Sequence, residues 1–293
     1  MTIARVIEAN QDTSAGQIIR ASAYCAQGRT KHVVDVLKQP RGDVNEQTIV
    51  HRHLLIAYAH IHKGDTAKAL EVLKDMAPRL TSKESEPQFT DIIYHSLRAL
   101  LTPTEDQVAK HKCITAAVEI INNKKMKIKD VDGLLLGMLH ILVSVAGDFH
   151  TCLKTQIKSM KSCPEAEGIH DVQEEIKQEL MDIFDFMKNF NVPWLSGHVQ
   201  YASGWVHKVN GNESKALADW ERSYKESERF GLKLLQIDIL STISKQLLNF
   251  DVSVTNGRHG MFYGIRYTDI YNNIDKLKMS CDISSSVGAI LVV

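Results

Sequence analysis

The chain has 293 residues, and hydrophobic residues make up 44% of it. Only 16 glycines and 6 prolines are present, which excludes a collagen-like or largely disordered chain and is typical of a soluble folded protein. Because 35 basic side chains balance 35 acidic ones, no overall field attracts a polyanion. We therefore expect neither nucleic acid nor an anionic membrane as a general partner.

The first residues lack both the basic and the apolar region of a secretory signal, which predicts an intracellular protein of the cytoplasm. The longest apolar run, 133–145, is shorter than the roughly 18 to 20 residues that a spanning helix needs. It predicts a buried core helix without membrane insertion. The five cysteines are dispersed and contain no C-x-x-C pair, so neither a disulfide framework nor a zinc knuckle is expected.

In chain order, the first predicted element is a helix hairpin over residues 14–43. Ala21 provides the small side chain that lets two antiparallel helices pack closely, and Gly28 accepts the left-handed backbone of the turn between them. Residues 50–82 repeat the same frame. There, Ala57 and Ala69 are the small residues, Gly64 is the turn glycine and Leu73 is the bulky residue.

The middle of the chain keeps helical periodicity but loses parts of this frame. Residues 89–101 and 105–122 predict two amphipathic helices separated by Pro103. A degenerate copy follows with its turn at Gly147, and residues 166–192 then predict one long, unpaired amphipathic helix. Because an unpaired helix shifts the phase of the hairpins, we expect an irregular stack.

The last strong copy covers residues 197–230, with its turn at Gly211 and with Trp220 on the packing face of its second helix. This position predicts that Trp220 belongs to the core. A further apolar helix ends near Phe250. We expect it to cap the stack, since a terminal repeat must cover an otherwise exposed face.

Residues 251–293 differ in character from the helices before them. They predict an extended tail with at most one helix, near 269–278. We expect this tail to fold back over an apolar inner wall, or else to act as a mobile partner-binding segment. The expected tail contacts are Phe262, Tyr263 and Tyr267, and the expected wall residues are Leu134, Ile141 and Val145.

The repeated small residue, turn glycine and bulky residue resemble the tetratricopeptide repeat (TPR), a helix-turn-helix unit of about 34 residues. Gly28 and Gly64 lie 36 residues apart, which is close to one such unit. The resemblance implies an all-α fold, an irregular TPR-like α-solenoid of antiparallel helix hairpins. This repeat domain would cover residues 1–250, and residues 251–293 would form a C-terminal tail.

A TPR-like stack implies a protein-interaction scaffold or adaptor that captures a partner's peptide or helix in its concave groove. The residues expected to line this groove are His51, Tyr58, His62, Leu134, Ile141, Val145, His198, Tyr201, Trp205 and Lys208. An aromatic and cationic strip of this kind anchors a partner helix. The opposing interpretation makes Trp205 part of the repeat core and the histidines ordinary helix-surface residues.

Other functional classes have weaker support in the sequence. Walker A, G-x-S-x-G and H-E-x-x-H motifs are absent, so we expect no enzyme, no metal site and no cofactor. The Lys and Asn clamp by which some TPR co-chaperones bind a carboxyl terminus is also missing. The alternative function is a TPR-type receptor for a regulatory peptide or small ligand, which switches conformation to control an effector. The C-terminal tail is a further candidate for self-association.

Overall fold

The computed structural model describes residues 13–38, 45–80, 88–123, 135–160, 165–246, 261–262, 265–266 and 270–281. These residues form twelve α-helices, and the expected all-α fold is confirmed. The helices are α1 Ser14–Ala26, α2 Thr30–Leu37, α3 Glu46–His62, α4 Thr66–Met76, α5 Phe89–Leu101, α6 Gln107–Ile121, α7 Leu139–Ser159, α8 Glu165–Lys188, α9 Ser196–Val209, α10 Glu213–Phe230, α11 Lys233–Gln246 and α12 Ile270–Met279. Two short strands, β1 Met261–Phe262 and β2 Ile265–Arg266, pair antiparallel with Met261 opposite Arg266.

The first ten helices pack as five successive hairpins: α1 with α2, α3 with α4, α5 with α6, α7 with α8, and α9 with α10. The first helix of each hairpin also packs against the first helix of the next one, from α1 through α9. This arrangement of adjacent helix pairs is compatible with a helical-repeat fold.

Side-chain caps fix where several of these helices begin. Thr13, Asn45, Asp65 and Asp106 each accept a hydrogen bond from the backbone amide three residues ahead. Such caps satisfy amide groups that have no partner within the helix, and each one typically contributes about 1 kcal/mol.

The three strong repeat turns form where the sequence predicts them. Gly28, Gly64 and Gly211 have φ angles of 73°, 76° and 78°, in the left-handed region that favours glycine. At each turn the amide after the glycine bonds to a carbonyl five residues earlier, as in Asp65 N to His60 O at 2.9 Å. This 6→1 hydrogen bond is the Schellman ending of a helix.

The predicted turn at Gly147 is wrong. Gly147 lies in the middle of α7, which continues without interruption from Leu139 to Ser159. Its missing side chain makes room for the ring of Trp205 on α9 and does not serve a turn. The long helix α8, which was expected to be unpaired, is the antiparallel partner of α7.

Helix α11 lies inside the stack, and the expectation that it caps the end is wrong. It packs against α9 and α10, but also against α1 and α7. Since α1 and α7 belong to the first and fourth hairpins, the stack must curve around α11. Most residues of this helix are buried, including its large apolar side chains Leu234, Leu235, Ile237, Ile239, Leu240 and Ile243.

The tail contains the one expected helix, α12, which packs against α11. Cys281, just after α12, is buried against Gly28 in the first repeat turn. The described part of the tail therefore returns to the N-terminal hairpin. Tyr263 and Tyr267 lie outside the described residues, as do the side chain of Phe262 and the expected domain boundary at residue 250.

Within the described ranges, residues 135–159 are the one stretch long and apolar enough to cross a membrane. However, 72% of its most apolar window is buried inside the fold, as in the core helix of a soluble protein. This burial agrees with the core helix that the sequence predicts for this region.

Candidate functional site

The side of the stack that packs against α11 holds a line of polar contacts between α11 and the helices around it. Asp238, Thr242 and Lys245 of α11 meet His140, Tyr201 and Asp148, which lie on α7 and α9. We call this line of contacts the inner seam. His140 and Asp148 follow the same chain order as Asp238 and Lys245, so α7 and α11 run parallel along the seam.

Asp238 occupies the N-terminal end of the inner seam. Its Oδ2 atom lies 2.8 Å from Nε2 of His140, and the two side chains are only 7% and 4% exposed. The other ring nitrogen of His140 contacts the carbonyl oxygen of Gly137. A carboxylate this deeply buried requires a close partner, because leaving it unpaired would cost several kcal/mol.

His198 on α9 and Trp194, just before α9, extend this end of the seam. The rings of His140 and His198 are 5.4 Å apart, and His198 packs edge-on against Trp194. Burial lowers the pKa of His198 well below its ordinary value, and nearby His140 adds to this effect. His198 is therefore neutral near pH 7.

Helix α3 approaches Asp238 from another side. The rings of Tyr58 and His62 pack edge-on with centroids 4.4 Å apart. Burial lowers the pKa of His62 to about 4, which the Asp238 carboxylate partly opposes. Burial also raises the pKa of Tyr58, with a smaller contribution from Asp238. Asp238 thus connects electrostatically to both α3 and α7.

Hydroxyl groups form the middle of the seam. The Tyr201 hydroxyl lies 2.7 Å from Oγ1 of Thr242 and donates to Oγ of Ser144 at 3.2 Å. Burial raises the pKa of Tyr201, and Asp238 raises it further. Tyr201 is consequently a neutral phenol that joins α7, α9 and α11.

An ion pair closes the C-terminal end of the seam. Nζ of Lys245 lies 2.7 Å from Oδ2 of Asp148, and these side chains are partly exposed. Burial lowers the pKa of Lys110 on α6, and the nearby carboxylate of Asp148 partly opposes this shift. The seam therefore runs from a buried carboxylate to a partly solvated ammonium group.

The predicted groove residues are buried in this chain. Leu134 lies outside the described residues, and all the others are less than one-tenth exposed: His51, Tyr58, His62, Ile141, Val145, His198, Tyr201, Trp205 and Lys208. These side chains therefore do not line an open groove in the free chain. Whether they contact a partner stays a prediction.

Five of these residues can be placed relative to the inner seam. Tyr58, His62, His198 and Tyr201 lie at or beside the inner seam. In contrast, Trp205 packs in the hairpin core, edge-on against Trp220 with ring centroids 5.5 Å apart. The core positions of Trp205 and Trp220 match the core interpretation from the sequence.

Sequence reasoning missed the α11 half of the seam. The signal was Asp238, the one carboxylate within the mostly apolar segment from Leu234 to Leu240. Thr242 follows four residues after Asp238, and Lys245 follows three residues after Thr242. This spacing places the three side chains on one helix face.

Comparison with known proteins adds no relative to these observations. No protein-family model matches the chain, and no curated protein matches it significantly. In the part of the chain that the structure describes, no three His, Cys, Asp or Glu side chains are grouped to hold a metal ion.

Proposed function

We propose that this chain is a protein-interaction scaffold whose concave side accepts a helix of a partner protein in the place that α11 occupies in the free chain. The observation that carries the proposal is the inner seam, since it consists of polar side chains that already hold one helix. A partner helix would be captured by the same faces of α3, α7 and α9.

Energetics favour a helix over an extended peptide as the captured segment. Six large apolar side chains of α11 are buried, and burial of each contributes about 1.5 to 3 kcal/mol. Removing α11 without a replacement would cost roughly 9 to 18 kcal/mol, which is as large as the whole stability of a typical domain. A second helix of similar size offsets this cost, so exchange of one helix for another is the feasible route.

Binding of a synthetic peptide with the α11 sequence, residues 232–247, tests this function. The full chain carrying Leu235→Ala should bind the labelled peptide more tightly than the unmodified chain, because Leu235 is buried close to Gly197 and its truncation weakens the resident helix. Leu70→Ala provides the matched control, since Leu70 is 43% exposed. Circular dichroism would verify that both variants remain helical.

Fluorescence anisotropy provides the measurement. Saturable binding that is competed by unlabelled peptide, and absent with a scrambled peptide, supports the proposal. If folded Leu235→Ala chain binds no more peptide than the Leu70→Ala control, helix capture on the concave side is wrong.

A receptor that switches conformation is the second candidate, and the contacts of α11 favour it. This helix joins the seam on α7 to the first hairpin, and it supports α12, whose end reaches Gly28. Displacement of α11 would therefore loosen α1 and α2. Faster amide hydrogen exchange in these two helices upon peptide binding would distinguish such a receptor from a passive scaffold.

A further inference from the structure

We propose that the partner segment is an amphipathic helix with a carboxylate at position i, a hydroxyl at i+4 and an ammonium group at i+7 on its buried face. This inference rests on the proposed function and specifies the chemistry of its partner. It follows from the polar residues of the inner seam and from the order in which they occur.

The resident helix shows which chemistry fits. Asp238, Thr242 and Lys245 lie at i, i+4 and i+7, within roughly 60° of arc on a helix with 100° per residue. All three therefore face α7 and α9 at once. We call the side chains of α7 and α9 that they contact the wall of the seam. A partner with the same three groups can form every contact of the seam without a change in the wall.

The wall has a matching order. His140, Ser144 and Asp148 occupy i, i+4 and i+8 on one face of α7, and Tyr201 of α9 reaches across to Ser144. Its N-terminal end is lined by imidazole groups, and its C-terminal end carries the carboxylate of Asp148.

Charge complementarity sets the direction of the partner helix. A helix that runs parallel to α7 places its carboxylate beside His140 and its ammonium group beside Asp148. The reversed helix would place one carboxylate against another, and like charges at close range oppose binding. The partner is therefore expected to bind parallel to α7.

The polar seam selects register more than it adds affinity. A helix with apolar side chains at these positions would remove the hydroxyl that meets Tyr201 and the carboxylate that lies beside His140. Buried polar pairs fix register in helical assemblies in the same way. The seam thus discriminates among helices that are equally apolar elsewhere.

A charge exchange between chain and peptide tests this inference. Lys245 and Asp148 are 18% and 31% exposed, so a reversed pair remains partly hydrated. We expect full chain carrying Asp148→Lys to bind a 232–247 peptide with Lys245→Glu at least 10-fold tighter than the peptide of natural sequence. The folded Leu235→Ala chain, which keeps Asp148, should show the opposite preference.

An apolar peptide separates this inference from the proposed function. It carries Asp238→Leu, Thr242→Val and Lys245→Leu, and it should bind Leu235→Ala chain at least 10-fold more weakly than the natural sequence. If all peptides bind equally well and charge exchange has no effect, the chain captures a helix but does not select for the carboxylate, hydroxyl and ammonium groups, and this inference is wrong. If the Asp148→Lys chain does not fold, the apolar comparison alone decides. If no peptide binds, the proposed function itself is wrong.

Discussion

Gly147 on α7 lies against the indole ring of Trp205 on α9, so closely that no side chain fits between them. Trp205 is fully buried and also packs against Trp220, so its ring has no room to move. A position inside a helix, where glycine is normally unfavourable, is thereby used to bring two first helices of adjacent hairpins together.

Substitution of Gly147 by Ala should lower the free energy of unfolding by about 1 to 3 kcal/mol, because the added methyl group overpacks the core. Alanine's higher helix propensity, worth about 1 kcal/mol, acts in the opposite direction and does not compensate. Gly168→Ala on α8 is the matched control, since nothing lies within 4 Å of its added carbon. Urea denaturation should show that the control is as stable as the natural chain or more so. Equal stabilisation by both substitutions would contradict this packing.

Leucine at Ala69 or Ala216 should also destabilise the chain, by about 1 to 3 kcal/mol each. Both alanines are fully buried on second helices of hairpins. Glu71→Leu adds the same side chain at an exposed position of α4 and should change stability by less than about 0.5 kcal/mol. Thermal unfolding of the three variants checks this prediction. Neutral results at both alanines would remove the packing basis of the repeat frame.

The sequence predicts the parts of the fold that local chemistry determines. Gly28, Gly64 and Gly211 mark their turns because a left-handed residue after a helix strongly favours glycine. Gly147 was misinterpreted because the sequence alone does not distinguish a turn glycine from one that accommodates an indole ring. The choice depends on Trp205, which lies 58 residues later.

The candidate site was only half predictable for a related reason. Tyr58, His62, His198 and Tyr201 follow from the inner-face spacing of the repeat frame, but their partners on α11 do not. The position of α11 depends on its contacts with α1 and α7, which belong to the first and fourth hairpins. Contacts between residues so far apart in the chain are not encoded in a local pattern. One local signal was present: the apolar side chains of α11 are spread around the whole helix, and such a helix is expected to be buried on every side.

The free energy of unfolding should decrease as pH falls from about 6.5 towards 4. His62 faces Asp238 and His140, and burial lowers its pKa to about 4. The unfolded chain, in which histidine has a pKa near 6.5, therefore gains a proton that the folded chain does not. Its contribution to the loss is about 2 kcal/mol at pH 5.

Denaturation of a His62→Gln variant at several pH values isolates this contribution. Its stability should depend less on pH between 6.5 and 4 than that of the natural chain, because glutamine does not titrate. Parallel pH profiles for the two proteins would show that His62 is not responsible.

Removal of the Tyr201 hydroxyl should weaken the middle of the seam. Tyr201→Phe leaves the hydroxyls of Thr242 and Ser144 without this partner, and we expect a loss of about 1 to 2 kcal/mol. Tyr271→Phe on α12 is the control, since Tyr271 is 59% exposed. Chemical denaturation should leave the control unchanged. A Tyr201→Phe chain as stable as its control would show that these hydroxyl contacts contribute nothing.

The contact between Cys281 and Gly28 joins the last described helix to the first repeat turn. In an open repeat array each unit touches only its neighbours, so the ends fray first and unfolding spreads inward. Here the two ends support each other, and neither end can open alone without exposing core side chains. During synthesis, Gly28 must wait for roughly 250 further residues before this contact can form. The chain should consequently unfold as one cooperative unit and complete its folding only after Cys281 has been synthesised.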